Sequence, residues 1–290
     1  MQSEIWTVLK ASRPPSWTFG PILFGIGIIH SGIIPKSLNV TLLRLGLQIA
    51  ALSMPLSIVV FGINDVYDYD SDIRNPRKMK DGPEGGILHP DHHRSVRLAA
   101  YTSTVFIILS SIITQQSQNI IATLFLTLIG WQYSAPPLRL KEQPIVDSLS
   151  NGAIVYLAWF CGFSFSGLKI SDAPSKGLML GLCTSGIHAL GAVMDMEADI
   201  AGGQKTIAVA LGPRLAAVFA ASCYLMASAT VDIDSIFGAY VYAGLFIMLF
   251  PCLRVSWAHR AFQGIVYLSI SCAVLWIFVR AWSIFSRKRS

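Results

Sequence analysis

Long apolar runs dominate this chain, and they constrain its fold more than any other feature. Runs of roughly 17 to 23 residues with few charges are long enough to cross a hydrocarbon core of about 30 Å as helices. The run from Ile233 to Pro251 is apolar on every face, whereas membrane barrel strands alternate in polarity. Only 13% of the residues are charged, against about 25% in soluble domains. These features exclude a water-soluble globule and predict an all-α polytopic membrane protein.

Nine membrane spans are predicted, with most of the charge in the segments between them. Two connections are long and polar, residues 64–97 after the second span and 195–210 after the sixth. A cytoplasmic N-terminus puts 14 of the 22 Lys and Arg residues inside and 8 outside, as the positive-inside rule favours, although the basic tail at 287–289 then lies outside. The predicted spans are 17–34, 42–63, 98–114, 119–135, 150–168, 177–194, 211–230, 234–251 and 264–284.

The two long connections open on the same side of the membrane, because four crossings separate them. We therefore predict a single membrane domain, 1–290, with pseudo-repeat halves of about 1–148 and 149–290 and a site between them on the cytoplasmic side. The net charge of +6 comes from residues that flank the spans. The predicted partner is thus the lipid bilayer, and no nucleic-acid partner is expected.

The first long connection opens with an acidic segment that carries four carboxylates within eight residues, from Asp65 to Asp72. On a continued helix, Asn64, Asp68 and Asp72 follow one another at four-residue spacing and share one face. That face offers oxygen ligands only, a set that suits Mg²⁺ or Ca²⁺ better than zinc. Asp65 and Asp70 lie off this face, and we expect both to be solvated.

The second long connection repeats this pattern, with Asp195 and Asp199 four residues apart. Glu197 lies between them and is expected to be solvated. Basic residues follow both acidic segments, including Arg77 and Lys78 after the first and Lys205 after the second. Two acidic segments that converge, each with nearby cations, predict a site for metal ions that carry a polyphosphate.

These motifs resemble those of the UbiA superfamily of intramembrane prenyltransferases, which includes membrane terpene cyclases. The segment from Tyr133 to Lys141, YSAPPLRLK, resembles the family's tyrosine and basic segment, and 203–206 resembles its post-motif segment. The resemblance implies helices around a central cavity that opens to the cytoplasm and to lipid, and a prenyl diphosphate held through Mg²⁺. It assigns one ion to Asn64, Asp68 and Asp72 and the other to Asp195 and Asp199. Its candidate diphosphate contacts are Asn64, Arg77, Lys78, Arg139, Lys141 and Lys205.

One position departs from the pattern expected of family members that prenylate quinone precursors. Those members are expected to carry Asp or Asn two helical turns before the second motif, where this chain has His188. A neutral imidazole there can act as a base toward a cation, or it can simply be a hydrogen-bonded histidine in a polar cavity wall. The candidate catalytic residues are Asp68, Asp72, Asp195, Asp199, His188 and Tyr133.

Three functions remain open from sequence. The first is a prenyltransferase that ionises a prenyl diphosphate and transfers the prenyl group to a lipophilic acceptor of unknown identity. Its cation would be stabilised by aromatic faces, for which Trp131, Tyr133, Tyr156, Trp159 and Phe160 are candidates. The second is a terpene cyclase that acts on the diphosphate alone, with His188 as terminal base. The third, a transporter or lipid-binding protein, is disfavoured because the acidic residues cluster at span ends.

Overall fold

The computed structural model describes residues 4–33, 40–74 and 86–287, with side chains as far as Val279. Within these ranges all regular secondary structure is helical, so the predicted all-α class is confirmed. The α-helices are α1 (Glu4–Ala11), α2 (Phe19–Ser31), α3 (Val40–Tyr67), α4 (Tyr69–Asp72), α5 (His93–Ile112), α6 (Ser117–Ser134), α7 (Val146–Ser164), α8 (Ser175–Gly202), α9 (Ile207–Leu211), α10 (Pro213–Ser228), α11 (Ile236–Leu253) and α12 (Ala258–Arg287).

Each predicted span overlaps one of these helices, but the number of crossings stays a prediction. In the described ranges, five helical segments are both long and apolar enough to cross a membrane. Helix α8 continues beyond the predicted end of its span at residue 194 and stops only where Gly203 adopts a left-handed φ of 73°. The five segments are Val40–Tyr67, Pro90–Ile112, Ser175–Gly202, Ile236–Leu253 and Val255–Val279.

Helix α7 holds the bundle together, because it packs against α2, α6 and α8. Helix α8 in turn packs against α10, which leads to α11 and α12. The two larger hydrophobic clusters of the described residues form along these contacts, one around Trp159 and Phe24 and the other around Tyr224 and Leu190. Helix α4, which follows the polar end of α3, contacts α8, so the fold brings both acidic segments to one end of the bundle.

Helix α3 is irregular before it reaches the first acidic segment. A turn at Leu52 and Ser53 precedes Pro55, whose nitrogen has no hydrogen to donate. The following stretch, Ile58–Gly62, is π-helical. Because a π-helical turn contains more residues than an α-helical turn, it rotates the side chains that follow around the helix axis. The direction of Asn64 is therefore set by this irregularity as well as by sequence spacing.

The contact between α2 and α7 depends on a glycine. A Cβ at Gly27 would overlap the Trp159 carbonyl oxygen, whereas a Cβ at Gly25 would have no atom of the described residues within 4 Å. We expect Gly27→Ala to destabilise the protein by about 1–3 kcal/mol, because two backbones must separate. Gly25→Ala is the control on the same helix and should be neutral or slightly stabilising.

Labelling of the buried thiols of Cys161 and Cys183 during heating of the purified protein measures this difference. Both thiols become reactive only when the packing of α7 and α8 is lost. Equal transition temperatures for the two glycine variants would contradict the close contact between α2 and α7.

Candidate active site

The first acidic segment runs from the end of α3 into α4. Asp68 separates the two helices, with φ −103° and ψ 1°. The four-residue spacing persists nevertheless, because the Asp68 amide donates to the Asn64 carbonyl at 3.0 Å and the Asp72 amide donates to the Asp68 carbonyl at 2.7 Å. Asp68 and Asp72 are 3% and 1% exposed. Two buried carboxylates this close together require compensating positive charge.

Two basic residues from the loop after α6 supply that charge to Asp68. The Lys141 ammonium contacts Oδ2 of Asp68 and donates to Oδ1 of Asn64 at 3.4 Å. Nη2 of Arg139 lies 3.7 Å from Oδ1 of Asp68. Ser134, at the end of α6, donates to the same Asn64 oxygen at 3.1 Å. The structure therefore brings Asn64, Asp68, Arg139 and Lys141 into one cluster.

The second acidic segment lies on the last turns of α8. Asp195 and Asp199 are both partly exposed, one helical turn apart. Oδ2 of Asp199 accepts a hydrogen bond from the Thr206 hydroxyl at 3.0 Å, and the Asp199 carbonyl accepts from the Gln204 amide at 2.8 Å. The segment that follows α8 therefore folds back onto the helix end and orients the Asp199 carboxylate.

Direct hydrogen bonds connect the two acidic segments. The Arg74 guanidinium, which follows α4, donates to the Gly202 carbonyl at the end of α8 at 3.2 Å. The side-chain amide of Gln204 donates to the Ser71 hydroxyl at 3.2 Å. The two segments therefore face the same space, as helix parity predicts.

The oxygen atoms of the two acidic segments are suitable ligands for a divalent cation. Among the described residues, no group of three or more His, Cys, Asp or Glu side chains is arranged to hold a metal ion. However, Oδ1 of the buried Asp68 has no hydrogen-bond partner among the described residues, and all candidate ligands are oxygen atoms. This set fits Mg²⁺, which commonly binds one or two carboxylates and completes its coordination with substrate phosphate oxygens and water.

A polar network lies beside the acidic segments, about two helical turns before Asp195 on α8. Nε2 of His188 is 3.0 Å from the Tyr133 hydroxyl, and its Nδ1 is 3.1 Å from the Ser148 hydroxyl. Asp147, next to Ser148, is fully buried and accepts hydrogen bonds from the Ser148 amide at 2.6 Å and the Ile207 amide at 2.8 Å. Asp147 lies in the first turn of α7 and binds the first amide of α9, a different helix.

The remaining predicted residues differ in their outcomes. Arg77 and Lys78 fall outside the described residues, so their prediction as diphosphate contacts is not addressed. Lys205 is exposed on the segment after α8. Asp70 and Glu197 are exposed, as expected.

The expectation that Asp65 is solvated is wrong. Asp65 is 2% exposed and forms an ion pair with Arg13 at 3.0 Å. Arg13 follows α1, and its spacing of 52 residues from Asp65 gave no sequence signal for the pair.

Two of the aromatic candidates for cation stabilisation are engaged elsewhere. The Trp131 indole donates to Thr104 at 2.7 Å and stacks on the exposed ring of Tyr101. Trp159 is fully buried against Gly177 near the start of α8, about 27 Å along the helix from Asp195. Trp159 is therefore too far from the acidic segments to meet a cation formed there.

Comparison with known proteins identifies the family. The sequence profile of the UbiA prenyltransferase family matches residues 18–290. The chain belongs to this family. Family membership makes it an integral membrane enzyme of prenyl transfer, as its sequence motifs predicted.

Relatives and solved structures of UbiA proteins agree with this assignment. A lycopene elongase/hydratase from Corynebacterium glutamicum is 33% identical over 239 residues, 80% of this chain and 78% of that protein. A lycopene elongase/hydratase from Halobacterium salinarum is 30% identical, over 91% of this chain and 95% of that protein. A solved structure of a UbiA homologue from Archaeoglobus fulgidus, bound to dimethylallyl diphosphate and Mg²⁺, has a TM-score of 0.66 and is 21% identical to this chain. The match covers 92% of this chain and 98% of the homologue's chain. The last similarity concerns the fold.

Proposed function

We propose that this UbiA protein is a Mg²⁺-dependent transferase that moves a prenyl group from an allylic diphosphate to a long, lipophilic polyene. Its site lies on the cytoplasmic side. The observation that carries the proposal is the pairing of two acidic segments with Lys141 and Arg139, because this combination can hold a diphosphate and its cation together.

Each element of the site has a role in this reaction. Asn64, Asp68 and Asp72 would hold one Mg²⁺, and Asp195 and Asp199 a second. When bound, the metal neutralises the leaving diphosphate. Lys141 and Arg139 pair with Asp68 in the substrate-free protein, and they become available to diphosphate oxygens once another cation neutralises that carboxylate. Arg77, Lys78 and Lys205 remain proposed contacts from the sequence motifs.

The proposed acceptor class follows from the relatives. Both relatives described above are named for activity on lycopene, a long linear polyene. His188 occupies the position where a carboxylate or amide is expected in members that prenylate quinone precursors. A polyene has no acidic hydroxyl group that would need a carboxylate partner. The site chemistry and the relatives therefore favour the same acceptor class.

The test uses purified protein, Mg²⁺, dimethylallyl diphosphate and one acceptor at a time. We expect a prenylated product with lycopene, none with 4-hydroxybenzoate, and no diphosphate release after removal of Mg²⁺ with a chelator. Prenylation of 4-hydroxybenzoate but not of lycopene would overturn the proposed acceptor class. Turnover that persists in the chelator would overturn the proposed metal dependence.

A terpene cyclase is the second candidate, and the contact between Tyr133 and His188 favours it, because a cyclisation cascade must end on a base. A cyclase consumes the diphosphate without an acceptor. Geranyl diphosphate and Mg²⁺ alone should therefore give at most slow hydrolysis if the transferase proposal is correct. Fast formation of a cyclic hydrocarbon would replace it with the cyclase.

A further inference from the structure

We infer that Tyr133 takes the proton released when the alkylated acceptor is quenched, and that His188 is the base behind it, held in position by Ser148. This inference rests on the proposed prenyl transfer to an alkene. It assigns a role to Ser148, which no sequence motif suggested, and it places Tyr133 rather than His188 in contact with the substrate.

The three side chains form one hydrogen-bonded chain across three helices. Tyr133 comes from α6, His188 from α8 and Ser148 from α7. The distances are 3.0 Å from the Tyr133 hydroxyl to Nε2 and 3.1 Å from Nδ1 to the Ser148 hydroxyl. Both imidazole nitrogens are therefore engaged, and the ring is fixed in orientation. Tyr133 and His188 are partly exposed, whereas Ser148 is fully buried, so accessibility decreases along the chain toward Ser148.

The location of this chain matches the position of the second cation in the proposed reaction. His188 lies seven residues before Asp195 on α8, about 10 Å deeper along the helix. The diphosphate binds at the level of the acidic segments, so the prenyl carbons and the alkene of the acceptor extend past them toward Tyr133. Tyr133 directly precedes Ser134, which contacts Asn64. The network is therefore adjacent to the proposed metal-binding segment.

Bond formation between the prenyl cation and an alkene leaves a positive charge on the acceptor. A C–H bond next to that charge breaks, and its electron pair forms the new C=C bond. The released proton goes to the Tyr133 oxygen while the Tyr133 hydroxyl proton moves to Nε2 of His188. No oxidant or further reactant is required. A carbocation is strongly acidic at the adjacent carbon, so a phenol backed by an imidazole is basic enough to accept the proton.

The surroundings of His188 suit this transfer. For Nε2 to accept the proton, the neutral ring must carry its hydrogen on Nδ1, and the Ser148 hydroxyl is placed to accept a hydrogen bond from that nitrogen. Asp147, the residue before Ser148, is fully buried. Asp147 is itself held by two backbone amides. Ser148 is thus a positioning residue.

The experiment measures how the acceptor cation is quenched, as the ratio of tertiary alcohol to alkene in the prenylated lycopene product. The probes are dimethylallyl diphosphate and lycopene with Mg²⁺. When the base is lost, water captures a larger share of the cations. We expect Tyr133→Phe, His188→Ala and His188→Gln each to slow turnover and to raise the ratio by about tenfold or more. Ser148→Ala should raise it less, and Ser148→Thr, which keeps a hydroxyl group, should restore it.

The control and the conservative variant separate this role from a structural one. Tyr224→Phe removes another buried hydroxyl, which contacts Tyr240 at 2.8 Å, and it should leave the ratio unchanged. His188→Gln keeps a hydrogen-bond acceptor but cannot take up a proton, so a wild-type ratio in this variant would overturn the inference. An unchanged ratio in Tyr133→Phe would do the same. Absence of any C–C bond formation in the wild-type protein would instead refute the proposed function.

Discussion

Asp68→Asn is expected to lower Mg²⁺-dependent diphosphate release by about a thousandfold or more. The variant replaces a buried carboxylate, whose Oδ1 has no hydrogen-bond donor within the described part of the chain, with an amide that carries no negative charge to bind a divalent cation. Metal neutralisation of a leaving group is worth several kcal/mol, and each 1.36 kcal/mol is a tenfold change in rate. Release of labelled diphosphate from dimethylallyl diphosphate in purified protein measures the effect.

The chain contains a matched control for this change. Asp70 lies two residues from Asp68 but is exposed, so Asp70→Asn should alter the rate by no more than about twofold. The same pair of experiments applies to α8, where Asp195→Asn should abolish release and exposed Glu197→Gln should not. Equal losses in Asp68→Asn and Asp70→Asn would show that net charge at this end of the bundle, and not the Asp68 site, governs the reaction.

Lys141→Met is expected to destabilise the metal-free protein by about 3–5 kcal/mol. The Lys141 and Asp68 side chains are 7% and 2% exposed, and removal of Lys141 leaves the buried Asp68 carboxylate with only the more distant Arg139, at 3.7 Å, to compensate its charge. Methionine keeps a flexible apolar chain of similar length, so the loss reflects charge more than volume. Heating with thiol labelling of Cys161 and Cys183 measures the loss of stability. Addition of Mg²⁺ with a diphosphate should reduce this loss, because the cation then compensates the charge of Asp68.

A double variant separates the ion pair from packing. In Lys141→Met with Asp68→Asn the buried charge is absent, so the protein should regain most of the lost stability while remaining inactive. The expected coupling between the two substitutions is therefore large. Additive losses in the double variant would mean that the two side chains do not depend on each other, and that Lys141 contributes through packing alone.

The family, the helical fold class and the carboxylates were all predictable from sequence. Span length and apolar composition are local properties, so they identify membrane helices without knowledge of neighbours. The spacing of Asn64, Asp68 and Asp72 is also local, and the backbone preserves it despite the break at Asp68. Helix parity placed the two acidic segments at the same end, because it requires only that both segments follow an even number of crossings.

The partners of these residues were decided only by tertiary structure. By spacing, Asp65 and Asp70 both lie off the predicted ligand face, yet Asp65 is buried against Arg13 and Asp70 is exposed. The pairing of Lys141 with Asp68 depends on the left-handed backbone conformation of Arg139 and on where the loop after α6 crosses α3. Likewise, His188 meets Tyr133 and Ser148 only because α6, α7 and α8 pack together at these positions. Sequence spacing determines which residues share a helix face, whereas contacts between helices depend on their rotation and depth, which many distant side chains set together.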